Sequence, residues 1–135
     1  MDKKYIKRCI ELSRLSLKNG ELPFASLVVF KNKIISESEN RARRDNDPTH
    51  HAEIIVLLKA RKILKTDNLS SCIIYSSTEP CPMCSFIIRE FKVGKVVFGL
   101  PSPVMGGFTR FKILQDKGLE TLTKFYSKPP NQLNI

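Results

Sequence analysis

Two short motifs, thirty positions apart, constrain this chain more than any other feature. The first is His51-Ala52-Glu53, and the second is Pro80-Cys81-Pro82-Met83-Cys84. If the two motifs act together, the fold must bring one imidazole and two thiolates to a single point. This donor set matches the ligand preferences of zinc, and three protein ligands leave the fourth tetrahedral position open to water. The pattern therefore predicts a catalytic zinc site formed by His51, Cys81 and Cys84, with one ion per chain.

Glu53 is the one acidic residue in these two motifs, and it is not among the three predicted zinc ligands. Asp47-Pro48-Thr49 predicts the start of a helix over about residues 49–64, capped by its aspartate or threonine, with His51 and Glu53 in the first turn. Residues two apart on a helix do not face each other, so Glu53 should lie beside the metal without being a ligand. Zinc lowers the pKa of a bound water toward about 7, but a proton shuttle is still needed for the leaving group. We predict that Glu53 is this catalytic shuttle.

The cysteine motif predicts a second helix. Two cysteines three residues apart project from one face of a helical turn, and the prolines around them suit a helix start, where an amide has no helical partner. The free amides and the dipole at that end favour the thiolate. We predict a helix over about residues 82–91, with Phe86, Ile87 and Phe91 facing the core.

The rest of the chain alternates between helical and strand patterns. We predict a helix over residues 3–18, ended by Asn19-Gly20, and strands at 27–30, 34–35, 72–75 and 95–98, with a turn at 31–33. Residues 108–114 fit a short helix, and residues 119–126 fit a fifth strand or a helix equally well. This order predicts an α/β fold with helices on both faces of one sheet, and parallel pairing where a helix links two strands.

The length and composition limit the setting. A chain of 135 residues fits one domain, so we expect a single domain over residues 1–135. No run of about 18 apolar residues suggests a membrane span, and the first residues do not resemble a signal peptide, so the default expectation is a cytoplasmic protein. A Cys-x-x-Cys motif with a paired histidine favours a metal site over disulfides, and we expect Cys9 and Cys72 to be buried thiols.

The net charge of +10 raises the question of nucleic acid. Most of the lysines and arginines are spread along the chain, which is typical of a solvated surface. Three arginines just before the zinc motif are the exception, because they could meet a phosphate at the mouth of the site. They are Arg41, Arg43 and Arg44, and nearby Asp45 and Asp47 partly cancel their charge.

Several segments resemble the zinc-dependent cytidine/deoxycytidylate deaminase superfamily, whose signature is H-x-E followed by P-C-x-x-C. The form Thr78-Glu79-Pro80-Cys81-Pro82-Met83-Cys84 is similar to that of tRNA adenosine deaminases, guanine deaminases and cytosine deaminases. Three further segments match: Pro23-Phe24-Ala25-Ser26 resembles the segment leading into the first strand, Asn40-Arg41 the base-contacting asparagine segment, and Val96-Val97-Phe98-Gly99 the strand after the cysteine helix. The resemblance covers roughly residues 1–100.

The resemblance implies a three-layer αβα cytidine-deaminase-like fold with a central mixed sheet of about five strands, often found as a homodimer. It also implies hydrolytic removal of an exocyclic amine, with release of ammonia, from a nucleobase, nucleoside or nucleotide. Zinc would activate the attacking water, and Glu53 would pass the proton of that water to the ring nitrogen and the leaving ammonia. Asn40 would bind the substrate by holding the base.

The chain departs from the family pattern in places that bear on the substrate. Ala25-Ser26 stands where Gly-Ala is common, and His50 stands where a small residue is usual, so both are expected to alter the pocket wall. The segment after Gly99 does not resemble the corresponding loop of the tRNA enzymes, and the chain after Cys84 is shorter than theirs. These departures favour a small-molecule base or nucleoside. The alternative is an adenosine-to-inosine deaminase of tRNA or other RNA, and a less favoured one is a noncatalytic zinc-containing binding protein.

Several of these residues also have purely structural interpretations. A closed structural zinc site would need a fourth protein ligand, and the only candidates are His50, which is adjacent to His51, and the cysteines Cys9 and Cys72. Asn40 could be a turn residue, Glu79 is expected to cap or brace the cysteine turn, and Glu21 is expected to be a solvated surface acid. His50 is interpreted as a surface residue or as a neighbour of the ligands.

Overall fold

The computed structural model describes residues 2–126. The elements are α1 (Asp2–Lys18), β1 (Ala25–Phe30), β2 (Lys33–Glu39), α2 (Ala52–Leu64), β3 (Cys72–Thr78), α3 (Pro82–Glu90), β4 (Lys95–Leu100), β5 (Gly118–Thr121) and a 3₁₀ turn (Thr123–Phe125). The helices predicted over residues 3–18, 49–64 and 82–91 and the strands predicted at 27–30, 34–35, 72–75 and 95–98 are present, with ends that differ by a few residues. The predicted α/β class is confirmed.

The fold is built around one mixed five-stranded sheet, with the strand order β2-β1-β3-β4-β5. β1 runs antiparallel to β2 and to β3, whereas β4 runs parallel to β3 and to β5. α3 links the parallel neighbours β3 and β4, as a parallel crossover requires. The segment over 119–126, for which strand and helix were both open, contributes the fifth strand and then the 3₁₀ turn.

Helices cover the two faces of the sheet. On one face, α1 packs through Tyr5, Ile6 and Cys9 onto buried strand residues, which include Leu27, Val29, Tyr75 and Val97. On the other face, α2 and α3 pack through buried residues that include Val56, Leu57, Ala60 and Ile88 onto Val28, Ile74 and Val96. Alternate residues of β1 and β3 therefore point to opposite layers, as the pleat of a strand demands. The three-layer αβα arrangement is confirmed.

The turn between β1 and β2 is shorter than predicted. Lys31 and Asn32 have φ angles of 50° and 63°, and Lys33 already pairs with Phe30. Two central residues with positive φ are typical of a type I′ hairpin turn, whose twist matches that of the strands. The turn therefore has two residues and not three.

The start of α2 differs from the prediction. The helix begins at Ala52, with His51 as an extended N-cap residue. The Asp47 carboxylate accepts hydrogen bonds from the Thr49 backbone N–H at 2.9 Å and the Thr49 hydroxyl at 2.7 Å, which closes a local turn before the helix. Both candidate caps are used in that turn, so His51 sits just before the first turn of the helix and Glu53 within it.

One further expectation, for Phe86, was wrong, and the segment over 108–114, for which a short helix was left open, forms turns. Phe86 is 59% exposed, because Cys84, Ser85 and Ile88 form the buried side of α3, and successive helical residues are about 100° apart. Residues 108–114 form consecutive turns and not a helix; for example, the Arg110 N–H donates to the Gly106 carbonyl at 2.9 Å. None of the helices in residues 2–126 has the length and apolar character needed to cross a bilayer.

Candidate metal centre and active site

The two motifs meet between the starts of α2 and α3. His51 Nδ1 lies 3.6 Å from Cys81 Sγ and 3.5 Å from Cys84 Sγ. His51 and Cys81 are the N-cap residues of their helices, and Cys84 lies in the first turn of α3. Each donor is therefore placed by a helix start that packs against the edge of the sheet where β3 ends.

The spacing of these donors fits a zinc ion. In a tetrahedral site with a Zn–N distance of about 2.05 Å and Zn–S distances of about 2.3 Å, nitrogen and sulfur are about 3.6 Å apart. Both nitrogen–sulfur distances match that value. Within residues 2–126, no fourth His, Cys, Asp or Glu joins the group. The predicted open position is therefore compatible with the geometry.

The other two cysteines lie in the core, as expected. Cys9 is fully buried and its thiol donates to the Tyr75 carbonyl at 3.5 Å, and Cys72 is 1% exposed. Burial raises the pKa of both thiols. Neither cysteine belongs to the metal-binding group found among the described residues, so neither provides the fourth ligand that a closed structural zinc site would need.

The Cys81 thiol is set up to ionise. A hydrogen bond from Cys84, and a weaker effect of His51, lower the pKa of Cys81 to about 4 against the opposing effect of burial. Cys84 is the donor of that bond and is deeply buried, so its pKa is raised. A thiolate at Cys81 is the form that binds a metal cation.

Glu53 lies beside the donor group and is 7% exposed. Burial, followed by the charge on Cys81, raises the pKa of Glu53 to about 7. A hydrogen bond with Ser76 of β3 acts in the opposite direction by favouring the carboxylate. A carboxyl group with a pKa near neutrality suits general acid–base work at neutral pH.

The residues behind Glu53 were not identified from the sequence. Ser26 of β1 lies 3.1 Å from Ser76, oxygen to oxygen, and donates to the Tyr75 carbonyl at 2.7 Å. Ser26 therefore lies behind the acid and does not line the pocket, contrary to expectation. In the sequence, the only sign of this arrangement is that hydroxyl residues occur in the segments that form β1 and β3. The strand register is needed to show that Ser26 and Ser76 are paired.

Asn40 follows β2 and is 3% exposed. Its Nδ2 lies 3.4 Å from Glu21 Oε1, whereas its Oδ1 has no hydrogen-bond partner within residues 2–126. A buried amide oxygen without a partner is uncommon in a folded protein and suggests a missing ligand. Asn40 therefore occupies a position from which it could contact a substrate.

One cavity of about 340 Å³ joins these groups. His51, Cys81, Glu53 and Asn40 line it, and its apolar walls include Phe24, Ala25 and Met105. That volume lies at the small end of the range of about 300–1,000 Å³ found for small-molecule sites.

His50 does not line this cavity. Its ring nitrogens lie 2.8 Å from an Asp45 carboxylate oxygen and 3.2 Å from an Asp47 carboxylate oxygen. His50 therefore faces outward, as its surface interpretation predicted, and it does not alter the pocket wall. Of the two departures named for that wall, only Ala25 contributes to it.

Two buried acids have roles that the sequence did not indicate. Glu21 is 3% exposed, so the prediction of a solvated acid was wrong. Glu79 braces the segment after β4 and not the cysteine turn. Its carboxylate accepts hydrogen bonds from the backbone N–H groups of Ser102 (2.9 Å), Phe108 (2.9 Å) and Thr109 (2.7 Å) and from the Thr109 hydroxyl (2.7 Å). Both acids stabilise loops that border the cavity.

The arginines near the cavity have partners within the chain. Arg41 pairs with Asp45 at 3.1 Å, and Arg44 pairs with Glu39 at 3.2 Å. Arg43 lines the cavity, and its guanidinium donates to the Gly20 carbonyl at 2.9 Å.

Comparison with known proteins places this geometry in a family. Residues 1–100 match the model of the cytidine and deoxycytidylate deaminase zinc-binding region. The chain belongs to the cytidine and deoxycytidylate deaminase family. This membership makes the protein a zinc-dependent hydrolytic deaminase, an enzyme acting on C–N bonds, with zinc as its cofactor.

Relatives of this deaminase include enzymes with different substrates. It is 31% identical over 131 residues to a tRNA-specific adenosine deaminase of Aquifex aeolicus, covering 96% of this chain and 87% of that protein. It is 41% identical over 81 residues to a guanine deaminase of Bacillus subtilis, covering 59% of this chain and 52% of the relative.

Solved structures confirm the deaminase fold. A chain from a study of tRNA:A34 deaminases superposes with a TM-score of 0.85 at 23% identity, covering 90% of this chain and 94% of that one. The guanine deaminase of Bacillus subtilis superposes with a TM-score of 0.71 at 29% identity, covering 98% of this chain and 81% of that one.

Proposed function

We propose that this deaminase removes an exocyclic amine from a free amino-substituted base, nucleoside or nucleotide bound in the 340 Å³ cavity. His51, Cys81 and Cys84 hold the zinc ion, Glu53 moves protons, and Asn40 holds the base. One observation carries the proposal: His51 and Cys81 of the metal-binding group, the buried Glu53 carboxyl, and an Asn40 amide oxygen with no partner within residues 2–126 line one small cavity.

The reaction exchanges the amine for an oxygen from water and releases ammonia. When bound, zinc supplies a water that is acidic enough to act as a nucleophile near neutral pH. The Glu53 carboxylate accepts one proton from this water and passes it to the ring nitrogen as the oxygen bonds to the ring carbon. The second proton, from the hydroxyl now on that carbon, moves through the same carboxylate to the amine as the C–N bond breaks and ammonia leaves. Ser76 holds the carboxylate in place, and the apolar walls keep the bound base away from bulk water.

The arginine contacts support a small substrate. Arg41 and Arg44 are paired with acids, and Arg43 is bonded to a backbone carbonyl. A phosphate backbone at the cavity mouth would have to compete with these contacts. The second candidate function is deamination of adenosine in tRNA or other RNA, which is supported by the tRNA-specific relatives and the net charge of +10.

Ammonia release from the zinc-loaded protein tests the proposal. The panel contains free bases, nucleosides, nucleotides and bulk tRNA, and the control is the same protein stripped with a chelator and then reloaded with zinc. We expect zinc-dependent turnover of a small molecule. Turnover of tRNA alone would favour the second candidate, and no turnover of any substrate would contradict deamination of these classes and favour a noncatalytic binding protein.

Salt dependence separates the two candidates for any active substrate. Binding of RNA through phosphate contacts weakens steeply as salt rises, because released counterions drive it. Turnover of a neutral base or nucleoside should change little between about 50 and 200 mM salt, whereas an RNA substrate held by several phosphates should lose affinity by orders of magnitude.

We also propose a cytoplasmic homodimer. Zinc-binding thiolates and two further free cysteines suit a reducing compartment. Apolar side chains are exposed on α3 and on the segment after β4, and such surfaces mark protein contacts when they are contiguous. They are Phe86, Val104 and Phe111.

A further inference from the structure

A buried carboxyl group outside the proposed catalytic group lies beside Asn40. Glu21 follows α1 and is 3% exposed. It accepts hydrogen bonds from the backbone N–H of Arg44 at 2.6 Å and of Arg43 at 3.3 Å, and its Oε1 lies 3.4 Å from Asn40 Nδ2. The acid therefore joins the loop after β2 to the amide that faces the cavity.

Both oxygens of Glu21 act as acceptors. Oε1 accepts from Arg43 and Oε2 accepts from Arg44, and an ionised carboxylate has no proton to donate. The Asn40 amide can meet this carboxylate only through its NH₂ group, since the reverse orientation would place two lone-pair-bearing oxygens against each other. The bond of 3.4 Å is long, so the repulsion in the reversed orientation, more than the strength of this bond, fixes the amide.

The fixed amide has one consequence for the substrate. With Nδ2 turned to Glu21, the Asn40 Oδ1 atom is the polar group that the residue can offer to a ligand, and within the described residues it has no partner. An amide oxygen accepts hydrogen bonds and cannot donate them. A ligand that places a hydrogen-bond donor there satisfies the buried Asn40 oxygen. A ligand that places a lone pair there sets its own acceptor against that oxygen, and neither group gains a hydrogen bond.

We propose that Glu21 is a positioning residue that holds Asn40 as an acceptor, so that the cavity selects substrates presenting a hydrogen-bond donor at that point. This inference rests on the proposed function, because it assumes that the substrate occupies the cavity beside Asn40. The donor is a ring N–H of the base. A base that presents only a ring-nitrogen lone pair at this point is disfavoured.

A binding experiment tests the selection. The zinc-loaded wild type is titrated calorimetrically with hypoxanthine, xanthine and uracil, and with their mono-N-methyl derivatives, each of which loses one ring N–H. We expect at least one methylation to weaken binding by about tenfold or more. In Glu21→Gln, whose amide can also donate, Asn40 can reverse, and the same methylation should lose most of its effect. Comparing the ratio between proteins cancels the steric effect of the methyl group.

Glu39→Gln is the matched control. It removes a carboxylate that pairs with Arg44 at 3.2 Å but does not line the cavity, so its methylation ratio should equal that of the wild type. An equal ratio in wild type and Glu21→Gln would overturn the proposal, as would a wild type whose affinity no methylation changes.

A second measurement needs neither a stable variant nor a ligand. In the wild type, the Asn40 side-chain NH₂ and the Arg43 backbone N–H both point at Glu21 Oε1. We expect nuclear Overhauser contacts between these protons. Absence of a contact between the NH₂ group and the Arg43 amide proton would show the reversed amide and overturn the inference. If this orientation is observed but no base binds or turns over, the proposed function fails while the role of Glu21 in orienting Asn40 stands.

Discussion

At the residue scale, the identity and spacing of side chains predicted the metal-binding group but not the residues that support it. His51, Cys81 and Cys84 could be recognised because zinc accepts few donor types and Cys-x-x-Cys presents two of them from one helical turn. Glu21 could not be recognised, since its burial depends on a loop more than twenty positions away that folds back over it. Long-range burial of an acid leaves no local pattern.

Cys84→Ser should abolish stoichiometric zinc binding. The change removes one of three donors, and an alcohol does not replace a thiolate as a zinc ligand, so affinity should fall by at least about 100-fold, the upper end of losses caused by supporting residues alone. Zinc per chain is measured by mass spectrometry after dialysis. The matched control is Cys72→Ala, a buried cysteine outside the metal-binding group, which should keep one zinc per chain. Equal zinc content in both variants would exclude Cys84 as a ligand.

At the element scale, periodicity predicted the order of the helices and strands, whereas their ends depended on local hydrogen bonds. The Asp47–Thr49 turn delays α2 until Ala52. The segment after β4 has no periodicity because the Glu79 carboxylate, and not a regular ladder, organises it. Such a segment could not be predicted without knowing which acid it surrounds.

Gly107→Ala should destabilise the contact between this segment and α3. A methyl group at position 107 would overlap the Ser85 hydroxyl, which is fully buried. We expect a loss of about 1–3 kcal/mol in the free energy of unfolding, the usual cost of overpacking, measured by urea denaturation. Gly118→Ala is the control, because its nearest neighbour would be Lys95 Cγ at 3.6 Å, an ordinary contact. A Gly107→Ala protein as stable as the control would contradict this packing.

The ion pair between α1 and β2 predicts a pH-dependent contribution to stability. Arg8 contacts Glu37 at 2.7 Å and lowers the pKa of Glu37 below its ordinary value of 4.5. A depressed folded-state pKa means that the stabilisation is present above pH 4.5 and is lost as the pH falls through the lowered value. Because both side chains are partly exposed, the contribution is about 0.2–1 kcal/mol.

Urea denaturation at neutral and acidic pH checks this contribution. Glu37→Gln should lower stability near pH 7 and have little effect near pH 3, whereas the exposed Glu90→Gln on α3 should change neither. A Glu37→Gln effect that is equal at both pH values would exclude titration of Glu37 as its source.

At the scale of the whole molecule, the layered fold brings together groups that are distant in the chain. β1 and β3 place Ser26 and Ser76 behind Glu53, and two helix starts place the zinc donors before it. The fold class followed from the alternation of helices and strands, but the shape of the cavity did not, because its walls come from loops. We therefore expect the loops to determine which substrate fits, and the helices and strands of the layered fold to position the groups that carry out the chemistry.

The proposed homodimer gives a prediction at this scale. Size-exclusion chromatography with light scattering should give about twice the chain mass of 15.4 kDa. Phe86→Asp places a charge on an exposed apolar position of α3 and should shift the protein toward the monomer, while Leu17→Asp on α1, also exposed, should not. A monomeric wild type would contradict the homodimer, and a dimeric Phe86→Asp protein would place its interface elsewhere.

The most direct test of the account is the turnover of Glu53→Gln with zinc bound. Glutamine keeps the size of the side chain but cannot carry the proton from water to the leaving amine. Both proteins are first shown to hold one zinc per chain, and ammonia release is then measured with the preferred substrate at saturation. We predict that kcat falls by about 10²–10⁴-fold in the variant. A Glu53→Gln protein that retains zinc and turns over at the wild-type rate would contradict the role assigned to Glu53 and, with it, the proposed mechanism.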